Sequence, residues 1–565
     1  MADLVIALAA IFVSAGVLLL VANHFGLSPV PFYIIAGLIT GTLGFAQADI
    51  VELAQWGIAF LVFVFGIQVN FGDLQSVLRD GETAAVTQLV VVAPIAFGVG
   101  FLFGELYGFD APVRNAIYFA AAATLSSTIV GAGLLKEEIR DNLVHGRLAS
   151  SIHFFDDLVA IALVLILSVE VFTAEAVTSS IGYGVLFLAA ALLIYRHGYP
   201  LLIRLAEGFE ELILMGSISI LIAFIAAAEL VGISIVVGAF AAGIAVRSEG
   251  AEALGVRNGI ESIKDFFVAI FFVTIGALVS IPTVETFVVA AVLIGLVLFV
   301  NPFVLLLAFT YEGYDSRTAF LASSNLNQVS EFALVIAIQA WLLGTITDTV
   351  FEAIILAAAV TMILTSFARE FKEVIYESVV QRLVGERQTR KIDERSYVPE
   401  GLDDHVVVLG YGRQGRRIVE TLERLDQPYV VMDNDPVLWD DMRAECRHYV
   451  FGDAMSQYPW ENARADSARL IISTVDHRPV SETVLDLETD ADVILRCRSS
   501  REASELLDAG ATYVNVPNVL ASDQLVDTIE AVFDDETSKA QIKRDHLDRL
   551  VTLERYGFTT RFDRQ

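Results

Sequence analysis

Up to about residue 368 the chain is a succession of apolar runs of bilayer-crossing length, separated by short polar breaks. Thirteen can be marked, near 3–23, 29–45, 52–69, 85–106, 113–134, 147–172, 178–196, 210–228, 231–247, 264–281, 284–310, 318–343 and 350–368. The first lacks the basic start and small-residue cleavage site of a signal peptide, so it is expected to remain as a helix. Composition agrees: 55% of residues are hydrophobic, 19% are charged, and the mean hydropathy is +0.63. Collagen, disorder and a small secreted scaffold are excluded. Two cysteines, Cys446 and Cys497, leave no disulfide framework.

The net charge is −31, from 68 acidic and 37 basic residues. Phosphate binding needs a basic footprint, so nucleic acid is not an expected partner. The acidic excess predicts adaptation to a salt-rich cytosol, where carboxylates keep surfaces hydrated and screening tolerates their repulsion. Basic residues also sort by loop. Loops after odd-numbered runs hold Arg79, Lys136, Arg140, Arg147, Arg196, Arg204, Arg247, Arg257, Lys264 and Arg317, whereas loops after even-numbered runs hold Arg114 alone. The positive-inside rule then predicts a multi-pass protein of the cell membrane, N-terminus outside and C-terminus in the cytoplasm.

Asp156 and Asp157 sit in SSIHFFDDLVAIALVLIL, near the middle of the sixth run. A carboxylate at mid-bilayer costs about 2.5–3.5 kcal/mol on the insertion scale, so a pair needs a reason. One reading is a pair hydrogen-bonded between helices. The other is a site where one carboxylate holds a proton or a partly dehydrated cation. His153 shares their face of the helix, either tuning them or serving as an interhelical contact. Ser126, Ser127 and Thr128 are consecutive in the fifth run, beside small residues and glycines. They either bond back to their own helix or mark a local break offering oxygen ligands to a hard cation. The twelfth run carries a second polar cluster, SSNLNQVSEFALVI, with Asn325, Gln328 and Glu331, which a polar pore wall would also explain. Seven runs apart, the two clusters cross the membrane in opposite directions, the mark of an inverted-repeat carrier with its site at the midplane. Runs two to six would match nine to thirteen.

After residue 368 the pattern changes. Residues 369–404 read as a charged amphipathic helix and a linker. From His405 to about 520, short apolar strands alternate with helices, which predicts a parallel doubly wound sheet. Residues 521–565 read as one or two charged helices. The fold class is thus an all-α polytopic membrane domain (1–368) plus a cytoplasmic α/β Rossmann-like domain. In GYGRQG, Gly410, Gly412 and Gly415 follow the strand HVVVLG and open a helix, and Asp433 ends the next strand 23 residues after Gly410. That is a dinucleotide arrangement, with pyrophosphate at the helix N-terminus and the acid on ribose hydroxyls. No Ser/His/Asp or metal-ligand spacing stands out, so an enzyme is not expected.

Taken in order, these segments resemble the Kef-type monovalent cation:proton antiporters that carry a cytoplasmic nucleotide-binding domain. The resemblance rests on PFYIIAGLITGTLG, FLVFVFGIQVN, TLSST, FFDDLVAI, ISIVVGAFAAGI, IFFVTIGALV and NQVSEFALVI, and covers nearly the whole chain. It implies exchange of a monovalent cation, K+ before Na+, for protons. It also implies that Asp157 is the essential cation- and proton-binding carboxylate, with Asp156 as a second ligand position. Ser126, Ser127, Thr128, Asn325, Gln328 and Glu331 complete the expected site. Three positions depart from the family: Asn301 stands where a basic residue is usual, Gln68 where Glu is common, and Ser330-Glu331-Phe332 replaces Gly-Glu-Phe. The missing cation leaves electrogenicity open. Gly452-Asp453-Ala454 resembles the matching turn of the TrkA N-terminal domain, which adds Asp453 to the nucleotide site, though this residue could also simply cap a helix. Such domains imply NAD(H) or another adenine nucleotide as cofactor and a homodimer. The alternative function is a ligand-gated potassium channel, but no Thr-Val-Gly-Tyr-Gly filter is present.

Overall fold

The structure is a computed structural model. It describes residues 2–25, 27–41, 47–68, 74–140, 143–167, 174–207, 209–246, 253–280, 282–382, 390, 392–533, 543–544 and 546–547. Arg247, linker residues 383–389 and the tail 548–565 lie outside them. Two units form, one of Met1–Phe309 with Ala319–Ile375 and one of Thr310–Thr318 with Tyr376–Gln565.

The first unit is helical. A helix or a helix pair lies over every apolar run. Among the described residues, five helices meet the length and apolarity of a full span: Gly81–Tyr107, Thr178–Ala206, Glu210–Val231, Val284–Glu312 and Asp348–Ala368. Thirteen therefore counts apolar helical segments; several are short, and two are interrupted. Glycine sets the closest approaches. A Cβ on Gly37 would lie 2.0 Å from the Val273 carbonyl, and one on Gly276 would lie 2.1 Å from that of Ile34. Gly66 and Gly243 repeat the arrangement, at 2.5 Å from the Phe240 carbonyl and 2.2 Å from that of Phe63. The second run thus meets the tenth as the ninth meets the third, which is what exchanging the two halves requires.

The interrupted helices are the fifth and twelfth runs. The first comprises Pro112–Thr124 and Thr128–Leu134, and the second Ser316–Ser323 and Glu331–Leu342. Ser127 caps the restart of the first, its Oγ accepting from the Val130 amide, and Ser330 caps the restart of the second, accepting from Phe332. Three long helices carry π-turns, at Gln88–Val92, Ile194–Gly198 and Leu296–Val300. The first and third sit seven runs apart.

The second unit holds a six-stranded parallel sheet, β1 (His405–Leu409), β2 (Tyr429–Asp433), β3 (Tyr449–Phe451), β4 (Ala468–Ser473), β5 (Asp492–Arg496) and β6 (Tyr513–Asn515), in the order β3-β2-β1-β4-β5-β6. Every residue of β1 is buried, as a central strand covered on both faces requires. Chain order reverses between β1 and β4, the switch point where ligands of such sheets bind. The stretch 369–404 starts helical, with Arg369–Phe371, Lys372–Ile375 and Tyr376–Val380 following one another without a gap. The part expected to be a linker differs. Farther on, Ile392 is buried in the α/β core and Tyr397 bridges antiparallel to Tyr449. Ile392 docks by its side chain and Tyr397 by its backbone, so this part is no free linker.

Candidate functional site

Helix Pro112–Thr124 ends with Leu125 extended, and Ser127, also extended, caps the restart, so the helix is interrupted over 125–127. The second break, Ser324–Ser330, crosses the first. Ser126 and Val329 form an antiparallel bridge, the Ser330 amide donates to the Leu125 carbonyl at 3.1 Å, and Gln328 Nε2 donates to the Ser127 carbonyl at 3.1 Å.

Helix Val144–Leu167 supplies the aspartates, both buried. Asp156 Oδ2 accepts from the Ser126 amide at 2.9 Å and from Ser126 Oγ at 2.6 Å. With its hydroxyl proton on Asp156, Ser126 accepts from His153 Nδ1 at 3.1 Å. Asp156 is thus an anchor for the first break. Asp157 is differently placed: Oδ2 accepts from Thr128 Oγ1 at 2.8 Å, and Oδ1 has no partner. Glu331 comes from the opposite repeat. Its Oε1 accepts from the Ile129 amide at 3.1 Å, while Oε2 is unpartnered, as is Gln328 Oε1. Gly131 is needed at this point, because a Cβ there would lie 2.1 Å from His153 Nε2 and 2.9 Å from Gln328 Nε2.

Three buried carboxylates therefore gather at the crossing, and no lysine or arginine among the described residues pairs with any of them. Buried charge without a partner is costly. Free oxygens on Asp157, Glu331 and Gln328 are what a dehydrated cation or a proton would occupy. The structure brings Ser126, Ser127, Thr128, Asp156, Asp157, Gln328 and Glu331 together. Asn325 stands apart: its Nδ2 donates to Leu321 O and its Oδ1 accepts from Lys372. Burial pushes the Lys372 amine down to about 7.

Sequence reasoning missed the supports. Gln88 Nε2 donates to the Thr124 carbonyl, before the first break, and Asn301 Nδ2 donates to the Leu326 carbonyl at 3.1 Å, within the second. Thr361 Oγ1 accepts from the Val329 amide at 3.2 Å, the place that Asp156 takes opposite Ser126. The available signal was a lone amide seven runs from its counterpart. Asn301, where a basic residue was expected, is in this chain a carbonyl-holding amide.

The residues that form this crossing lie within a match to the family model for the transmembrane sodium/hydrogen exchanger, over residues 8–370. The chain belongs to the sodium/hydrogen exchanger family. It is a multi-pass exchanger rather than an enzyme, and a TrkA-N domain matches residues 406–517. It is similar to a protein named K(+) efflux antiporter KefB from Alkalimonas amylolytica, with 26% identity over 87% of this chain and 76% of that one. It is also similar to one named cation/proton antiporter YbaL from Escherichia coli (strain K12), with 25% identity over 89% of this chain and 93% of that one. Among solved structures, the TrkA-N domain of the inner membrane protein YbaL matches 22% of this chain and 97% of its own, at 23% identity and TM-score 0.22. The GsuK channel bound to NAD matches 41% of each chain, at 17% identity and TM-score 0.20.

In the exchanger's TrkA-N domain the three glycines have distinct reasons. Gly410 has φ +91°, a left-handed conformation that favours glycine. A Cβ on Gly415 would lie 1.9 Å from the Gly410 carbonyl, whereas around Gly412 nothing lies within 4 Å. Gly412 also starts helix Arg413–Arg424 with no side-chain cap, leaving amide hydrogens for an anion. This shape fits a nucleotide pyrophosphate. Asp433 is occupied locally, with Oδ2 accepting from the Tyr411 amide at 2.7 Å and Oδ1 from the Asp435 amide at 2.9 Å. Asp453 Oδ1 accepts from the Met455 amide at 3.1 Å, and Oδ2 pairs with Arg317. A cavity of about 530 Å³ opens beside the same helix, lined by Gln414, Arg417, Thr474, Arg496 and Asn515 among others.

Proposed function

We propose that the protein exchanges a monovalent cation, K+ before Na+, for protons across the cell membrane, with Asp157 as the exchanging carboxylate. The observation that carries this reading is the unpartnered Asp157 Oδ1 beside the unpartnered oxygens of Glu331 and Gln328, at the crossing of two helix breaks. Asp157 holds either a proton or the cation. Asp156 is committed to Ser126 and shapes the break, while Thr128, Gln328 and Glu331 complete the oxygen set. Both similar antiporters carry cation exchange in their names, one of them K+ efflux. The arginine-sorted loops support an N-terminus outside and the TrkA-N domain in the cytoplasm.

NAD(H) or another adenine nucleotide would lie at Gly410, Gly412 and Gly415, with Asp433 turning to the ribose, and would regulate exchange. A homodimer is supported by helix Pro517–Phe533, which buries no residue and exposes Leu525, Ile529 and Phe533 along one stripe, an area a second copy would cover.

The test is flux in reconstituted vesicles. Added K+ should dissipate a pH gradient, more effectively than Na+, and Asp157→Asn should lower that rate more than 100-fold. Because protons compete for Asp157, exchange should also fall as the pH drops on the cation-loading side. Conductive K+ flux without proton movement would mean a channel, and undiminished exchange in Asp157→Asn would remove the carboxylate from its role.

A further inference from the structure

We propose that the adenosine half of a bound nucleotide and Arg317 compete for the carboxylate of Asp453, so that occupancy of the glycine cradle sets how tightly segment Thr310–Thr318 is held on the sheet. This rests on the nucleotide reading above and adds its route to the exchanger.

Residues 310–318 lie inside the stretch matched by the exchanger family, yet they pack as part of the α/β unit. Their fastening is specific. Arg317 Nη1 lies 3.2 Å from Asp453 Oδ2, and the two side chains are only 9% and 5% exposed. Asn434 Nδ2 donates to Thr318 Oγ1 at 3.1 Å, and Asp315 Oδ1 accepts from the Thr318 amide at 2.8 Å. Arg395 Nη1 donates to the Gly313 carbonyl at 3.1 Å, and Ser316 Oγ meets the Tyr376 hydroxyl at 2.9 Å.

The anchors on the sheet are also the groups a nucleotide needs. Asp433 closes β2, Asn434 follows it, and Asp453 follows β3, on the side of the switch point where the ribose and base of a dinucleotide lie. Asp453 Oδ1 is held by the Met455 amide, which leaves only Oδ2, and Arg317 has it. A ribose or adenine donor reaching that oxygen must displace a buried guanidinium. Past Thr318 the same helix runs on to Ser323 and enters the break at Ser324–Ser330. Release of Arg317 therefore removes one buried ion pair from the stem of the broken helix that carries Gln328, while the Asn434 and Arg395 contacts remain.

The experiment uses the full chain, with NAD+, NADH, ATP and AMP as probes. Binding is measured in detergent and exchange in vesicles. Arg317→Gln should bind the active probe about tenfold more tightly, and its exchange rate should no longer respond to that probe. Arg317→Lys, a milder change should the first variant fail to fold, should shift both readouts in the same direction by less. Should the parent bind a probe while both variants keep its affinity and its response, the competition is wrong. An affinity that falls makes Arg317 a nucleotide ligand and overturns it equally. Should the parent bind no probe, the nucleotide reading itself fails.

Discussion

The two helix breaks occupy equivalent places in the two repeats, yet they are held by different chemistry. The first spans three residues and leans on a carboxylate: Asp156 takes both the amide and the hydroxyl of Ser126. The second spans seven and leans on hydroxyls: Thr361 takes the Val329 amide, and Thr365 donates to the Asn327 carbonyl. Gln88 and Asn301 play matching parts, each an amide donating to a backbone carbonyl, that of Thr124 just before the first break and that of Leu326 within the second. Repetition has preserved where support is needed and has let the supporting group change. The asymmetry collects charge on one side, so Asp157 meets Glu331 across the crossing and the site is acidic without being symmetric.

This comparison can be broken by paired substitutions. The largest effect is expected at the shared contact: Gly131→Val should abolish exchange, because its side chain would enter the space of His153 and Gln328. Next, Asp156→Ala and Thr361→Val remove equivalent supports of unequal strength. Hydrogen bonds to charged groups contribute about 1.5–3 kcal/mol and neutral ones about 0.5–1.5 kcal/mol, so the first should cost more in thermal stability. Equal losses would mean that Asp156 carries no special load. The smallest difference within a pair belongs to Gln88→Leu and Asn301→Leu, which should destabilise by similar amounts, about 1–3 kcal/mol each, for the carbonyl left behind. A silent Asn301→Leu beside a damaging Gln88→Leu would confine the equivalence to the backbone.

Much of this arrangement was legible in the residues. Serines and threonines placed among small residues announced the first break, and SSNLNQVSE announced the second, because neither segment suits an uninterrupted helix. What periodicity could not separate was Asp156 from Asp157. Adjacent side chains on a helix differ by about 100°, and only the position of Ser126 shows which one is spent on the backbone. Asn325 looked like a ligand for the same reason that Gln328 did. Lys372, far along the sequence, takes it out of the crossing. The supports Gln88 and Thr361 were illegible because one polar residue in an apolar run has many uses, and its partner is fixed only by packing. In the α/β unit the glycine spacing was readable, whereas the pairing of Asp453 with Arg317 joins residues 136 apart and has no local signature.

The bridge between Tyr397 and Tyr449 bears on how the TrkA-N domain is handled in isolation. β3 is the outermost strand, and its backbone exchanges two hydrogen bonds with Tyr397, at 2.7 and 3.1 Å. A fragment begun at His405, where the first strand starts, would strip that cover and leave an adhesive rim prone to stacking with its own kind. One begun near residue 390 would retain the clasp along with Ile392, and should stay dispersed at concentrations where the shorter fragment precipitates.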